Sequence, residues 1–181
     1  MNGSPRLVQH LPFSKLQRNP GVSSSPALLT KKLESHTSLT NSPCRCPRIM
    51  VVDDNPFNTM AFETILGSLN IKCDFVYSGS TCIKNLLNRQ SKVCGVHCKQ
   101  YAVVFMDQEK PEMSGSEIVR KIRRLQKENL LPASIKVIGC TAHKSKEEVE
   151  KFMEAGIKQC IHKPISAIVI KDILKEIALD A

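Results

Sequence analysis

From about residue 48 onward, short, largely apolar runs alternate with longer stretches in which apolar residues recur every three or four positions. A short apolar run bounded by polar turns is the mark of a strand covered on both faces, and the longer recurrence marks a helix with one covered face. The runs fall at Ile49-Met50-Val51-Val52, 71–77, 101–106, 135–140 and 157–161. Between the first two, Asn55-Pro56 opens a helix whose apolar face is expected to include Phe57, Met60, Ile65 and Leu69. Ser78-Gly79-Ser80 leads into a helix through Ile83, Leu86 and Leu87, and Ser114 begins one carrying Ile118, Val119, Ile122 and Leu125. Residues 144–155 form a charged helix closed by Gly156 as its C-cap, and a last helix covers 166–179. Five such units predict an α/β fold, a doubly wound five-stranded parallel sheet with helices on both faces. Ligands of these sheets bind beyond the carboxyl ends of the strands.

That edge is where the polar residues gather. Asp53 and Asp54 follow the first strand, Asp107 the third, Thr141 the fourth and Lys163 the fifth. Three carboxylates in one crevice resist joint ionisation unless a cation shares the site. Oxygen-only ligands with positions left for water and phosphate suit Mg²⁺. With charge on the incoming oxygens neutralised, the Asp107 carboxylate becomes a nucleophile toward a phosphoryl donor, and Lys163 and Thr141 supply counter-charge and a hydrogen-bond donor. Taken singly, the aspartates are ordinary helix caps, Thr141 an N-cap and Lys163 a solvated charge. It is their joint occurrence at successive strand ends that argues for a site.

In this arrangement the chain resembles the receiver domains of two-component and phosphorelay signalling, particularly those of hybrid histidine kinases, which have a flavodoxin-like fold. The resemblance covers 48–179. It rests on Val51-Val52-Asp53-Asp54-Asn55, Phe105-Met106-Asp107 followed by Pro111, Met113 and Gly115, Thr141-Ala142, and Lys163-Pro164. It implies Asp107 as phosphoacceptor, Asp54 and Asp107 as direct Mg²⁺ ligands, Asp53 reaching the metal through water, and the backbone carbonyl of Glu109 as a further ligand. Thr141 would contact the phosphoryl group and move with it, and Lys163 would pair with its oxygens. The implied partner is a histidine kinase or a histidine phosphotransfer protein, so the chain is expected to be a phosphoacceptor that assists its own phosphorylation and dephosphorylation rather than an enzyme with turnover. Two departures stand out. Lys110 replaces the usual Met before Pro111, and Cys160 occupies the switch position where the family usually places Tyr or Phe. The stretch 91–100 is longer than the family needs, and Glu109 and His143 stand where the family tunes hydrolysis of the aspartyl phosphate. The alternatives are a pseudo-receiver that binds proteins without phosphorylation, and a Mg²⁺-dependent phosphatase. The phosphatase usually carries an Asp where Glu109 stands.

Composition adjusts the picture at its edges. Residues 1–47 are rich in Ser, Pro, Asn and Thr, with six basic residues against the lone Glu34, and are expected to form a flexible basic leader ahead of a domain over 48–181. This leader holds more than half of the formal charge of +9, so the domain is only modestly basic; with 4% aromatics and no Trp it is not expected to bind nucleic acid. The sequence contains no run long and apolar enough for a bilayer span and is expected to be cytoplasmic. Cys73, Cys82 and Cys140 sit in apolar segments as reduced thiols. Cys44, Cys46, Cys94, His97 and Cys98 supply zinc-type ligands, but without a two-residue spacing between cysteines, so no structural metal is expected. His10, His36 and His162 have no phosphotransfer context, and His162 reads as a strand residue.

Overall fold

The computed structural model describes residues 44–91, 94, 98–142 and 146–177, all within the unit Leu39–Ala181. The expected leader up to residue 43, and with it His10 and His36, lies outside the described residues, as do His97 and His143. Ten elements alternate: β1 (Ile49–Val52), α1 (Pro56–Ser68), β2 (Cys73–Val76), α2 (Gly79–Ser91), β3 (Val103–Asp107), α3 (Gly115–Lys127), β4 (Lys136–Thr141), α4 (Lys146–Glu154), β5 (Gln159–His162) and α5 (Ala167–Glu176). The strands form one sheet in the order β2-β1-β3-β4-β5, every neighbouring pair parallel. This is the predicted doubly wound architecture.

Alternation along each strand divides the core into two layers. Met50, Val52, Val104, Met106 and Val137 face one way and pack with residues of α2, α3 and α4. Ile49, Val51, Val103, Phe105, Ile138 and Ile161 face the other way, against α1 and α5. Every residue of β1 and β3 is buried, which is why these strands read as unbroken apolar runs.

Helix ends follow local chemistry. The Asn55 side chain accepts from the Phe57 amide at 2.9 Å, with Pro56 occupying the first helical position. Ser114 and Glu117 form a reciprocal capping box on α3, and Ser166 caps α5. Left-handed residues Asn70, Asn129 and Gly156 stop α1, α3 and α4, so the predicted cap at Gly156 is present.

One expectation needs correcting. The covered face of α1 is Thr59, Phe62 and Leu66, flanked by half-buried Ile65 and Leu69, whereas Phe57 and Met60 are 79% and 61% exposed. Phe62 takes the inner position because its ring meets Phe105 of β3 at a centroid distance of 5.0 Å. Strand boundaries shift by one or two residues, so Asp107 and Thr141 are the last residues of β3 and β4 and not the first residues past them.

Phe105→Ala is expected to lower unfolding free energy by about 3–5 kcal/mol in urea titrations, while Phe57→Ala stays within about 0.5 kcal/mol. Equal effects would show that the α1 face is misassigned.

Candidate functional site

Parallel strands all deliver their carboxyl ends to one edge, and there a cleft of about 750 Å³ opens, lined by Asp53, Asp54, Asp107, Glu109, Lys110 and Lys163 among others. Carboxylate oxygens of Asp53, Asp54 and Asp107 lie within 4.8 Å of one another. Asp53 and Asp107 are 1% and 6% exposed, and Asp54 faces solvent. The Lys163 ammonium bridges the two buried carboxylates, 2.6 Å from Asp53 Oδ2 and 2.6 Å from Asp107 Oδ1. The other Asp53 oxygen accepts from the Asn55 amide at 3.0 Å and the Asn58 side chain at 3.1 Å. Asp53 is thus fixed from both sides.

Two cations, not one, attend Asp107. Lys110, with a side chain only 2% exposed, lies 3.7 Å from Asp107 Oδ2 and also donates to the Asp107 backbone carbonyl. Burial pushes the Asp107 carboxyl above the ordinary carboxylate range, and the hydrogen bond from Lys163 and the charge of Lys110 only partly offset it. Burial likewise holds Lys110 below the usual lysine value, against the pull of Asp107 and its neighbours. For Lys163 burial acts downward too, but its hydrogen bonds to Asp107 and Asp53 outweigh it and the net shift is upward.

The turn after β3 is shaped by a close approach. A Cβ on Gly115 would lie 2.2 Å from the Asp107 carbonyl oxygen, so only glycine lets α3 start here. The buried Gln108 side chain accepts from the Ser116 amide at 3.1 Å and donates to the Ser116 hydroxyl at 3.2 Å, fixing the other side of that turn. Glu109 follows directly and lines the cleft.

Thr141 is buried at the end of β4, and its hydroxyl donates to Glu148 Oε2 on α4 at 2.7 Å. Glu148 also lines the cleft, and the sequence pointed to neither its presence nor this bond. Cys160, half-buried on β5, packs beside Phe152 of α4: a Cβ on Gly139 would meet the Cys160 sulfur at 2.8 Å and the Phe152 ring at 2.8 Å. His162 is an exposed strand residue, as expected. Among the described residues no helix is long and apolar enough to cross a membrane.

Comparison with known proteins agrees with this geometry. The family described as "Response regulator receiver domain" matches residues 49–175. Hybrid signal transduction histidine kinase L of Dictyostelium discoideum is 33% identical over 129 residues, which are 71% of this chain and 7% of that protein. Sensor histidine kinase RcsC of Escherichia coli K12 is 31% identical over 126 residues, 70% of this chain and 12% of that protein. The chain therefore spans only a small part of these curated relatives. Among solved structures, the receiver domain of the Arabidopsis thaliana histidine kinase CKI1 complexed with Mg²⁺ is 25% identical, with a TM-score of 0.58, covering 70% of this chain and 91% of that one.

Because the folded-state Asp107 carboxyl binds its proton more tightly than the unfolded one, its stabilising contribution is fully present below the unfolded value of about 4 and is lost as pH rises through the folded value. Asp107→Asn mimics the protonated form. In metal-free buffer it is expected to raise the denaturation midpoint at neutral pH, the gain fading as pH falls toward about 4. Denaturant titration across pH checks this, and a gain that grows in acid would contradict it.

Proposed function

Since the chain belongs to the response regulator receiver domain family, we propose that Asp107 accepts a phosphoryl group from a phosphohistidine of a histidine kinase or histidine phosphotransfer protein, in a Mg²⁺-dependent reaction that relays or sinks a two-component signal. The observation that carries this reading is the meeting of the Asp53 and Asp107 carboxylates on the Lys163 ammonium, with Asp54 within 4.8 Å.

The donor set is made of hard oxygens and fits the metal: Asp53, Asp54, Asp107 and the backbone carbonyl of Glu109 would hold it. Mg²⁺ bound there supplies positive charge for the phosphoryl oxygens and an in-line alignment. An Asp107 carboxylate oxygen attacks phosphorus, the bond from phosphorus to the donor's imidazole nitrogen breaks, and the nitrogen keeps the electron pair. Lys163, already touching Asp107, exchanges its Asp53 contact for a phosphoryl oxygen. The Thr141 hydroxyl has one proton to donate. To reach the phosphoryl group it gives up Glu148, which loosens one tie between α4 and the end of β4. Cys160 stands beside this path as the proposed switch position, with Phe152 supplying the aromatic ring at that point.

A second reading has its own observation. The buried Lys110 ammonium already neutralises part of the carboxylate charge, as in a pseudo-receiver that docks proteins without phosphorylation. Incubation with acetyl phosphate and Mg²⁺ separates the two. Wild type is expected to acquire an acid-stable, base-labile acyl phosphate that Asp107→Asn cannot form, and wild type remaining unlabelled would favour the docking module. The physiological step is tested by transfer from a phosphorylated histidine phosphotransfer protein to the same two variants.

Removing the competing cation gives a further expectation. Lys110→Met should tighten Mg²⁺ binding on the order of tenfold, about 1.4 kcal/mol, by calorimetric titration. Unchanged affinity would show that Lys110 swings clear when the metal binds.

A further inference from the structure

At the opposite edge of the sheet, away from the aspartates, lies a second cluster of ligand-bearing side chains. The sulfurs of Cys44, Cys46, Cys94 and Cys98 all lie within 4.8 Å of one another, with Cys44 and Cys94 at 3.3 Å and Cys46 and Cys94 at 3.6 Å. The sheet itself brings them there. Cys46 lies just before β1 and Cys98 just before β3, and β1 and β3 pair in parallel with Ile49 opposite Val103. Amides of Ala102 and Val103 bond to the Arg48 carbonyl at 2.8 and 3.3 Å, extending that pairing back toward the cysteines. The expectation against a metal rested on the missing two-residue spacing. That spacing serves a ligand pair on one tight turn, and here strand pairing does the assembling instead.

We propose that Cys44, Cys46, Cys94 and Cys98 bind one zinc ion in a closed structural site that pins the segment leading into β1 to the loop before β3. Zinc bonded to four sulfurs at about 2.3 Å sets the sulfurs about 3.8 Å apart in a tetrahedron; the contacts of 3.3 and 3.6 Å lie a few tenths of an ångström inside that value, and all four sulfurs lie within 4.8 Å of one another. Disulfides fit worse. They need about 2.05 Å between paired sulfurs, and all four cysteines are free. Four sulfurs this close cannot all ionise without a shared cation, and soft thiolates select zinc over the hard ion suited to the aspartates.

The surroundings suit the charge such a centre would carry, since four thiolates around a divalent ion leave two negative charges. The Arg89 guanidinium is near enough to act electrostatically on Cys46, and one of its buried nitrogens has no hydrogen-bond partner. The Cys46 amide points at the Cys44 sulfur, 3.3 Å away, as an outer-sphere donor would. The site also accounts for the length of the stretch 91–100, which carries two of the four ligands.

The test uses the whole chain purified under reducing conditions without chelator. Elemental analysis should find about one zinc per chain, and cobalt exchanged into wild type should show sulfur-to-metal charge transfer with the ligand-field bands of a tetrahedral tetrathiolate. Cys46→Ser and Cys94→Ser should each abolish stoichiometric binding, whereas Cys73→Ser and the Asp53→Asn/Asp107→Asn double variant should retain it. The cobalt spectrum needs no variant, so misfolding of a serine variant leaves the proposal exposed to refutation. Wild type that holds no zinc after loading and gel filtration, or an octahedral cobalt spectrum, would overturn it. So would zinc lost in His97→Ala but kept in Cys98→Ser.

Discussion

Two carboxylates cannot stand at the ends of neighbouring strands without a cation between them, and the arrangement of this domain follows from that constraint. β1 and β3 are adjacent, buried Asp53 directly follows the one and buried Asp107 ends the other, and the charge that reconciles them comes from Lys163, directly after β5 at the sheet's edge. Lys163 reaches across the end of β4, which carries a hydroxyl and not another charge. The fold is needed to bring these groups together, and the lysine is needed for the fold to tolerate them.

Much of this was legible in the chain. The two central strands, covered on both faces, leave unbroken apolar runs, and the others leave largely apolar ones, so the number of strands and their places along the chain could be read directly. Asp53, Asp107, Thr141 and Lys163 were found because a strand's end is a topological position that does not depend on detailed packing. What failed depended on rotation about an axis. α1 has apolar residues at positions 57, 60, 61, 62, 65 and 66, with Leu69 as its C-cap, nearly all round the helix, so periodicity alone could not choose its inner face. The choice was made by the Phe62 contact with Phe105. Glu148 was missed for the same reason, because its approach to Thr141 depends on how α4 is turned over the sheet.

Lys110 was noticed as an unusual residue, but its burial was not foreseen. A lysine in a turn reads as solvated, whereas this one folds back onto the Asp107 carboxylate and carbonyl in a turn that the Gly115 close approach and the Gln108 to Ser116 bonds hold tight. The cysteines are a parallel case. Their residue types were evident, and their convergence came from a strand pairing that links positions some fifty residues apart.

Gly139, Cys160 and Phe152 occupy a single shared volume. The small residues of two strands leave a niche, and the ring that fills it is anchored to a helix. That ring is fully buried and close-packed against its neighbours. If the proposed exchange at Thr141 moves this end of the sheet, the ring and the helix that carries it would travel together, and the state of the domain would be expressed as backbone travel and not as a side-chain swing.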